Sequence, residues 1–255
     1  MAPDRSVPDD ELLADAVQRL ESGGQPAVDE LLAQHPGQAE AIRDKLRVLV
    51  RFGMLGRAQG TQIPERLGEF VLRERLGSGG MGVVYLAEQP SLRRQVAVKL
   101  IRPDSLYFPK ARERFRREVE AIAGLQHPSI VRVFSANVDG ELPYFTMERV
   151  EGVSLEQLLD ELRAAAPARL TEADVRAALA ALGGGALVAP PGARQRGWVE
   201  VACQWVQELA DALDYAHRHG VVHRDVPPSN VMNPWSLRAL LLAFGLESTQ
   251  GAGKP

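Results

Sequence analysis

The sequence predicts an α+β protein in which a small helical N-terminal unit precedes an antiparallel sheet with one helix, and a mainly helical region follows. Three observations lead to this class. Apolar residues have helical spacing before residue 56, runs of β-branched and aromatic residues begin at Phe70, and helical spacing returns after Gly152.

The helical N-terminal unit is predicted to cover residues 1–56. Apolar residues recur at helical spacing in three groups, which are Leu13, Ala16, Val17 and Leu20, then Val28, Leu31 and Leu32, then Ile42, Leu46, Leu49 and Val50. Gly23-Gly24 and His35-Pro36-Gly37 separate the groups, so we expect a helical hairpin or a three-helix unit. Residues 57–66 include RAQGTQIP, which is polar and ends in proline, and are predicted to be a linker.

Strand-like segments follow from residue 67. Three runs rich in β-branched or aromatic residues are FVLRERLG, VVYLAEQ and QVAVKLI, and they predict an antiparallel meander. A helix is predicted from about Lys110 to Leu125, with Phe115, Val119 and Ile122 on one face. Two further strands, SIVRVFSANV and LPYFTMERV, flank the Asp139-Gly140 turn signal.

The region after Gly152 is predicted to be helical, with an insertion rich in Ala and Gly at about 164–197. Within this insertion, residues 170–182 are expected to form a surface helix capped by Thr171, and residues 183–192 a flexible excursion. A long amphipathic helix should then end at Gly220.

Composition excludes several classes of protein. The chain has 255 residues with 30 Lys plus Arg and 33 Asp plus Glu, so its net charge of −3 disfavours a general nucleic-acid binder. Cys203 is the only cysteine, which excludes an intramolecular disulfide and a cysteine-based zinc cluster. The acidic N-terminus lacks a signal-peptide core, and no apolar run has the length of a membrane span. We therefore expect a cytoplasmic protein without a membrane segment.

A glycine motif, G-x-G-x-x-G-x-V, covers residues 77–84. Absent side chains in such a loop let backbone N–H groups approach phosphate oxygens, whereas the alternative is a plain flexible turn. A dinucleotide-binding glycine loop opens a helix, but this motif leads into the strand-like run VVYLAE. A Rossmann-type oxidoreductase is therefore disfavoured.

Two charged residues occupy unusual positions for surface groups. Lys99 ends the apolar run VAVK and alternates onto the same face as Ala97, beneath the predicted glycine hairpin. Glu118 lies three residues after Phe115 and four before Ile122, so it belongs to the apolar face of its helix, where a lone carboxylate is costly. We expect Lys99 and Glu118 to pair. The alternatives are a lysine that extends into water and a glutamate at the rim of the core.

Taken in order, GSGGMGVV, VAVK, the helix with Glu118, and HRD-x-x-x-x-N resemble the N-lobe and catalytic loop of a eukaryotic-type (Hanks-type) bacterial serine/threonine protein kinase. The resemblance runs from about Leu67 to Leu246. It implies a kinase domain at 67–255, with an N-lobe at about 67–150 and a partial C-lobe at 151–255. It also implies ATP, Mg2+ and a protein substrate.

The resemblance assigns roles to particular residues. Leu76 and Val84 would enclose the adenine with Ala97, and Met147 would be the gatekeeper. The residues that would cover the phosphates are Gly77, Ser78, Gly79, Gly80, Met81 and Gly82. Lys99 would bind the α- and β-phosphates while paired with Glu118, and the backbones of Glu148 and Val150 would bind adenine. Asp225 would be the catalytic base, and Asn230 would hold magnesium.

Simpler readings of the catalytic loop stay open at this point. His223 is also compatible with a packed core histidine, and Asp225 with a turn residue ahead of Pro227-Pro228.

Three departures from the family pattern predict impaired chemistry. Pro227 replaces the usual lysine two residues after Asp225, and Ala243-Phe244-Gly245 replaces Asp-Phe-Gly, which removes a magnesium carboxylate. The chain ends at Pro255, so we expect a C-terminally truncated domain without an activation segment. The chain would then be an impaired ATP-dependent protein kinase or a pseudokinase that binds nucleotide or acts as a scaffold.

Self-association is expected as well, because Leu240–Leu242 and Phe244 would lack a covering helix.

Overall fold

The computed structural model describes residues 8–52, 54–55, 66–79, 82–101, 109–138, 142–163, 165–184 and 195–242. The chain divides into two compact units. Unit 1 comprises Met1–Val119, Phe134–Met147 and Leu246–Pro255, and unit 2 comprises Glu120–Val133 and Glu148–Gly245.

Unit 1 begins with the predicted helices. These are α1 (Asp9–Ala33) and α2 (Ala39–Arg51). Gly24 has a φ of 69° inside α1, a left-handed conformation that interrupts the helix where the sequence predicts a break. The two parts of α1 together with α2 therefore give three helical segments, as expected from the apolar spacing.

A six-stranded sheet follows. Its strands are β1 (Arg66–Leu67), β2 (Phe70–Gly79), β3 (Gly82–Gln89), β4 (Arg94–Ile101), β5 (Val133–Asn137) and β6 (Tyr144–Glu148), in the order β1-β2-β3-β4-β6-β5. Strands β1, β2, β3 and β4 pair antiparallel in succession, which confirms the predicted meander. Helix α3 (Pro109–Ala123) connects β4 to the later strands, as predicted.

The N-terminal helices and the sheet share one apolar core. Helix residues such as Leu12, Ile42 and Leu49 belong to the same buried cluster as the sheet residues Tyr85 and Val98. The core of unit 1 therefore lies between the helices and one face of the sheet.

Unit 2 is mainly helical, as the sequence predicts. Its elements are β7 (Gly152–Ser154), α4 (Leu155–Leu162), α5 (Glu172–Leu179), α6 (Trp198–Arg218), β8 (Val231–Pro234) and β9 (Leu240–Leu241). Ser154 caps α4, since its Oγ accepts a hydrogen bond from the Gln157 N–H at 3.1 Å while Gln157 Oε1 accepts from the Ser154 N–H. Strands β7, β8 and β9 form a second, antiparallel sheet.

The insertion contains the expected helix, α5, but this helix is only partly at the surface. Val175 and Leu179 have no exposed surface, so one side of α5 packs into unit 2. Thr171 precedes the helix, and its N–H donates to Asp174 Oδ2 at 2.8 Å. Residues 185–194, which include most of the expected flexible excursion, lie outside the described residues.

The segment 240–242 is less exposed than the sequence suggested. Leu241 is fully buried, while Leu240 and Leu242 are half-buried. These residues therefore do not form the uncovered apolar patch on which the expectation of self-association rested, and Phe244 lies outside the described residues. Self-association itself stays a prediction.

Within the described ranges, no helix combines the length and apolar character that crossing a bilayer requires.

Candidate active site

The glycine motif forms the tip of the β2–β3 hairpin. Gly77 pairs with Val84, Ser78 with Val83 and Gly79 with Gly82, while Gly80 and Met81 lie outside the described residues. The motif leads into the strand β3 rather than a helix, as the sequence indicated. This geometry is the one that separates a hairpin over phosphates from a dinucleotide-binding turn.

Two glycines of this hairpin have different reasons to lack a side chain. Gly82 has a φ of +150°, and a Cβ there would lie 1.8 Å from the carbonyl oxygen of Leu100. The fold itself therefore requires glycine at position 82. A Cβ on Gly77 would meet nothing within 4 Å, so the fold does not require glycine there, and the space beside the strand at Gly77 is open.

Lys99 lies on the sheet face beneath this hairpin. It is half-buried and pairs with Val84 across β3 and β4, while Ala97 pairs with Leu86. Because side chains alternate along a strand, Lys99 and Ala97 share one face. The Lys99 Nζ lies 5.8 Å from the centroid of the buried Phe145 ring, a distance compatible with a cation–π contact.

Apolar surface remains exposed near this face. Leu76 lies at an irregularity in the β2–β3 pairing, between Arg75 and Gly77, and is 50% exposed. Val84 is half-buried, whereas Ala97 is buried. Such an open apolar rim beside a cationic side chain is what a flat aromatic ligand with an anionic tail requires.

Glu118 lies on α3 beside residues of its apolar face. Phe115, Val119 and Ile122 are buried, and Glu118 is half-buried. Its half-buried position agrees with a carboxylate that needs a cationic partner. The pairing of Glu118 with Lys99 stays a prediction.

The expected adenine-binding backbone lies at the end of β6. Met147 is buried, and the boundary between the two units falls between Met147 and Glu148. The N–H of Glu148 donates to the carbonyl of Arg132 at 2.8 Å. Because the N–H of Glu148 is already used in this bond, the backbone group of Glu148 that can bind a ligand is its carbonyl. Val150 is half-buried.

The catalytic-loop motif lies between α6 and β8. Asp225 and Asn230 are both half-buried, and Asn230 Nδ2 donates to Asp225 Oδ2 at 3.0 Å and to the Asp225 carbonyl at 3.3 Å. A short 3₁₀ turn at Pro228–Asn230, closed by the Asn230 N–H on the Pro227 carbonyl at 2.9 Å, brings the two side chains together. The two residues assigned to catalysis therefore contact each other directly.

His223 is the packed histidine that the simpler reading describes. It is 1% exposed, and its Nε2 lies 3.2 Å from the carbonyl oxygen of Leu242. Burial lowers the pKa of His223 below its ordinary value of 6.5, although the Leu242 carbonyl and Asp225 act in the opposite direction. His223 is therefore neutral near pH 7 and buried beside the Leu242 carbonyl.

The donor set for Mg2+ is incomplete. Asn230 and Asp225 supply oxygens, but among the described residues no three His, Cys, Asp or Glu side chains form a group that could hold a metal. The kinase family has a magnesium-binding carboxylate, the Asp of Asp-Phe-Gly, at the position of Ala243. The methyl group of Ala243 cannot coordinate a cation. Pro227 adds neither charge nor an N–H. The residues present do not fit the usual magnesium site.

Sequence reasoning missed a charged network that closes the base of the insertion. Glu172 is buried, and its carboxylate accepts from Arg196 Nε at 2.6 Å and from Arg176 Nη2 at 2.5 Å. The Glu172 N–H also donates to the Arg196 carbonyl at 2.9 Å. The i, i+4 spacing of Glu172 and Arg176 was a visible signal, whereas Arg196 lies 24 residues away.

Comparisons with known proteins agree with this arrangement. The family model of the protein kinase domain matches residues 70–252. A probable serine/threonine-protein kinase of Streptomyces coelicolor is 34% identical over 193 residues, which cover 74% of this chain and 24% of that protein. PknB of Mycolicibacterium smegmatis is 34% identical over 188 residues, covering 72% of this chain and 25% of PknB. The chain thus spans about a quarter of the length of these relatives.

Solved structures give the same result. A crystal structure of the Mycobacterium tuberculosis PknI kinase domain is 27% identical, with a TM-score of 0.56, and the match covers 74% of this chain and 66% of that chain. Another PknI kinase-domain structure is 30% identical with a TM-score of 0.53, covering 73% of this chain and 63% of that chain. Motifs, fold and comparisons together establish that this chain belongs to the protein kinase domain family and is similar to bacterial serine/threonine kinases.

Proposed function

We propose that this chain binds ATP on the β2–β4 face and acts as an ATP-dependent serine/threonine protein kinase with impaired phosphoryl transfer. The observation that carries the proposal is the register that pairs Lys99 with Val84 beside the glycine hairpin. This register puts a cation next to an open apolar rim, under a strand pair whose Gly77 leaves space for phosphate.

The proposed chemistry assigns one task to each group. Val84 and Ala97 contact the adenine, and the Lys99 ammonium neutralises phosphate charge. The Asp225 carboxylate accepts the proton of a substrate Ser or Thr hydroxyl. The hydroxyl oxygen then bonds to the γ-phosphorus, the bond between that phosphorus and its bridging oxygen breaks, and ADP leaves. Asn230 holds the Asp225 carboxylate in place for this step.

Impairment follows from two positions. Pro227 cannot supply the cation that the family has there for the γ-phosphate, and Ala243 cannot bind magnesium. Both changes weaken the alignment of phosphate and hydroxyl, on which a positioned base depends.

A pseudokinase role is the second candidate, and the same residue Pro227 favours it. A chain that binds nucleotide without transferring phosphate would act through its N-terminal helices and its insertion as a regulatory scaffold. Phosphoryl transfer above background separates the two candidates. In either case we place the chain in the cytoplasm, because the proposed ligand ATP is found there, and its protein substrate or partner is left open.

Nucleotide binding is tested first, with a fluorescent ATP analogue titrated into the full chain. Lys99→Ala should weaken binding about tenfold, the equivalent of about 1.4 kcal/mol. Arg218→Ala is the control, since Arg218 is a cationic residue of α6 in unit 2 with 75% of its side chain exposed. No saturable binding by the unmodified chain would overturn the proposal.

Phosphoryl transfer is tested with labelled ATP, magnesium and a generic protein substrate. We expect transfer slightly above background that is lost in Asp225→Asn and kept in Asp211→Asn, a change at an exposed position of α6. Transfer at background in all three proteins would favour the pseudokinase, and robust transfer by the unmodified chain would show that it is not impaired.

A further inference from the structure

The sheet that carries Lys99 is covered on the face opposite Lys99 by the N-terminal helices. The buried residues on that face are Val83, Tyr85, Ala87, Val96, Val98 and Leu100, each at most 3% exposed. All six belong to the same apolar cluster as the buried residues of α1 and α2. We call residues 9–55 the N-terminal cap.

The cap and the nucleotide face share the same strands. In β4, Val98 and Leu100 flank Lys99 and point to the cap, and in β3, Val83 and Tyr85 flank Val84. A single layer of backbone therefore separates the cap core from the side chains that would contact the nucleotide. Any shift of the cap-facing residues moves the neighbouring Lys99 as well, because close-packed interiors transmit displacement.

One hydrogen bond fixes the cap to the middle of the sheet. The hydroxyl of Tyr85 donates to the carbonyl oxygen of Phe52 at 3.0 Å, and Tyr85 is 3% exposed. Phe52 follows the last turn of α2, and Tyr85 pairs with Val98, the residue before Lys99. The bond thus connects the end of the cap to the strand pair that carries Val84 and Lys99.

The burial pattern differs from that of an independent tethered domain. A domain of that kind would bury its apolar residues among themselves and leave the sheet face polar. Here the sheet face is apolar along both central strands, and Val96, Val98 and Leu100 have no exposed surface. Without the cap these side chains would face water, so the sheet depends on the cap for its burial.

We propose that the N-terminal cap positions the Lys99 strand, with Tyr85 as a positioning residue, so that cap docking and nucleotide binding are coupled. The coupling to nucleotide rests on the proposed ATP binding. Because coupling is reciprocal, nucleotide should tighten the cap as much as cap docking tightens nucleotide.

The first test measures native-state hydrogen exchange of the full chain in unmodified, Tyr85→Phe and Tyr215→Phe forms. Tyr215→Phe is a matched control, since the Tyr215 hydroxyl accepts one hydrogen bond, from the Gln126 N–H, within unit 2. In Tyr85→Phe the amides of α2, β3 and β4 should exchange faster together, about fivefold, as expected for one buried hydrogen bond. Faster exchange in α2 with β3 and β4 unchanged would overturn the proposal, whether or not nucleotide binds.

The second test adds the fluorescent ATP analogue. Tyr85→Phe should raise its Kd at least twofold, Tyr215→Phe should leave it unchanged, and the analogue should slow exchange in α1 and α2 of the unmodified chain. Binding with an unaltered Kd in Tyr85→Phe and no protection of the cap would refute the coupling while the proposed function stands. No binding at all would instead refute the proposed function, and the first test would then decide whether the cap positions the strand.

Discussion

Asn230 donates its side-chain amide to the carboxylate of Asp225 at 3.0 Å and to the Asp225 carbonyl at 3.3 Å. The two residues lie five positions apart, and a proline-initiated 3₁₀ turn closes the distance. The orientation of the candidate base therefore depends on a neighbour within its own loop, in unit 2 alone. These bonds order the loop even though Pro227 within it lacks the cation that the kinase family has at this position.

Asn230→Ala should loosen this loop. Losing the two hydrogen bonds is expected to lower the unfolding free energy by about 1 kcal/mol, since both residues are only half-buried. Denaturant unfolding measures the loss, and Ser229→Ala, at the exposed neighbouring position, is the control. Equal stability of the two variants would show that the Asn230 bonds do not order the loop.

The two glycines of the hairpin should respond differently to alanine. Gly82→Ala puts a Cβ 1.8 Å from the Leu100 carbonyl at a φ of +150°, so it should destabilise unit 1 by at least about 1–3 kcal/mol, the cost of the backbone strain alone. Gly77→Ala meets no protein atom within 4 Å, and should leave stability nearly unchanged while weakening ATP binding several-fold. Thermal melting and nucleotide titration of both variants make the comparison. Unaltered nucleotide affinity in Gly77→Ala would place the phosphates elsewhere.

His223 should make the stability of unit 2 depend on pH in mildly acidic solution. Burial lowers its pKa in the folded state below the ordinary 6.5, so the unfolded chain takes up the proton first. Stability should therefore fall as the pH drops below about 6.5, until the folded-state pKa is passed, and should be unaffected above that range. Melting temperatures between pH 7.5 and pH 5 (roughly the window in which histidine titrates) measure the slope.

His223→Gln removes this titration and should flatten the slope, whereas His217→Gln, at an exposed position of α6, should leave it as it is. A slope unchanged by His223→Gln would assign the pH dependence to another group.

The Glu172 network should stabilise unit 2 over a different pH range from His223. Hydrogen bonds from Arg196 first, and then from Arg176, hold the pKa of Glu172 below its ordinary 4.5 despite burial. Its contribution is therefore present above pH 4.5 and is lost as the pH falls through the lowered pKa. Glu172→Gln should cost about 2 kcal/mol at pH 7, because it removes a charge-assisted acceptor from two cations. Urea unfolding beside Glu156→Gln, an exposed control, tests this, and equal midpoints would contradict it.

Local sequence patterns predicted the elements of this fold well. The β-branched runs gave β2, β3 and β4, the double glycine gave the break in α1, and Thr171 gave the start of α5. These features depend on residues close in sequence, where periodicity and turn chemistry decide the backbone.

Tertiary packing was beyond such patterns. Tyr85 looked like an ordinary strand residue, and only the folded chain shows that it reaches the Phe52 carbonyl 33 residues earlier. Leu241 looked uncovered, yet its backbone pairs with Ser129 and Val131, more than a hundred positions away, and its side chain is buried. Contacts of this range depend on which surfaces meet, and a single sequence does not specify that.

ATP binding by this chain should depend little on magnesium. Because Ala243 offers no carboxylate and Pro227 no cation, ATP should bind the unmodified chain with nearly equal affinity in magnesium and in a chelator.

The double variant Ala243→Asp with Pro227→Lys restores one magnesium ligand and one phosphate-binding cation. Its affinity for ATP should rise about tenfold with magnesium and much less without it, since the added carboxylate repels phosphate unless a cation lies between them. Isothermal titration with and without chelator measures the difference. Pro228→Lys combined with Ala243→Asp is the matched control, since Pro228 is the exposed neighbour of Pro227 and a lysine there lies one residue past the position of the missing cation. A strong magnesium dependence in the unmodified chain would show that other oxygens complete the site, and that the loss at position 243 does not impair metal binding.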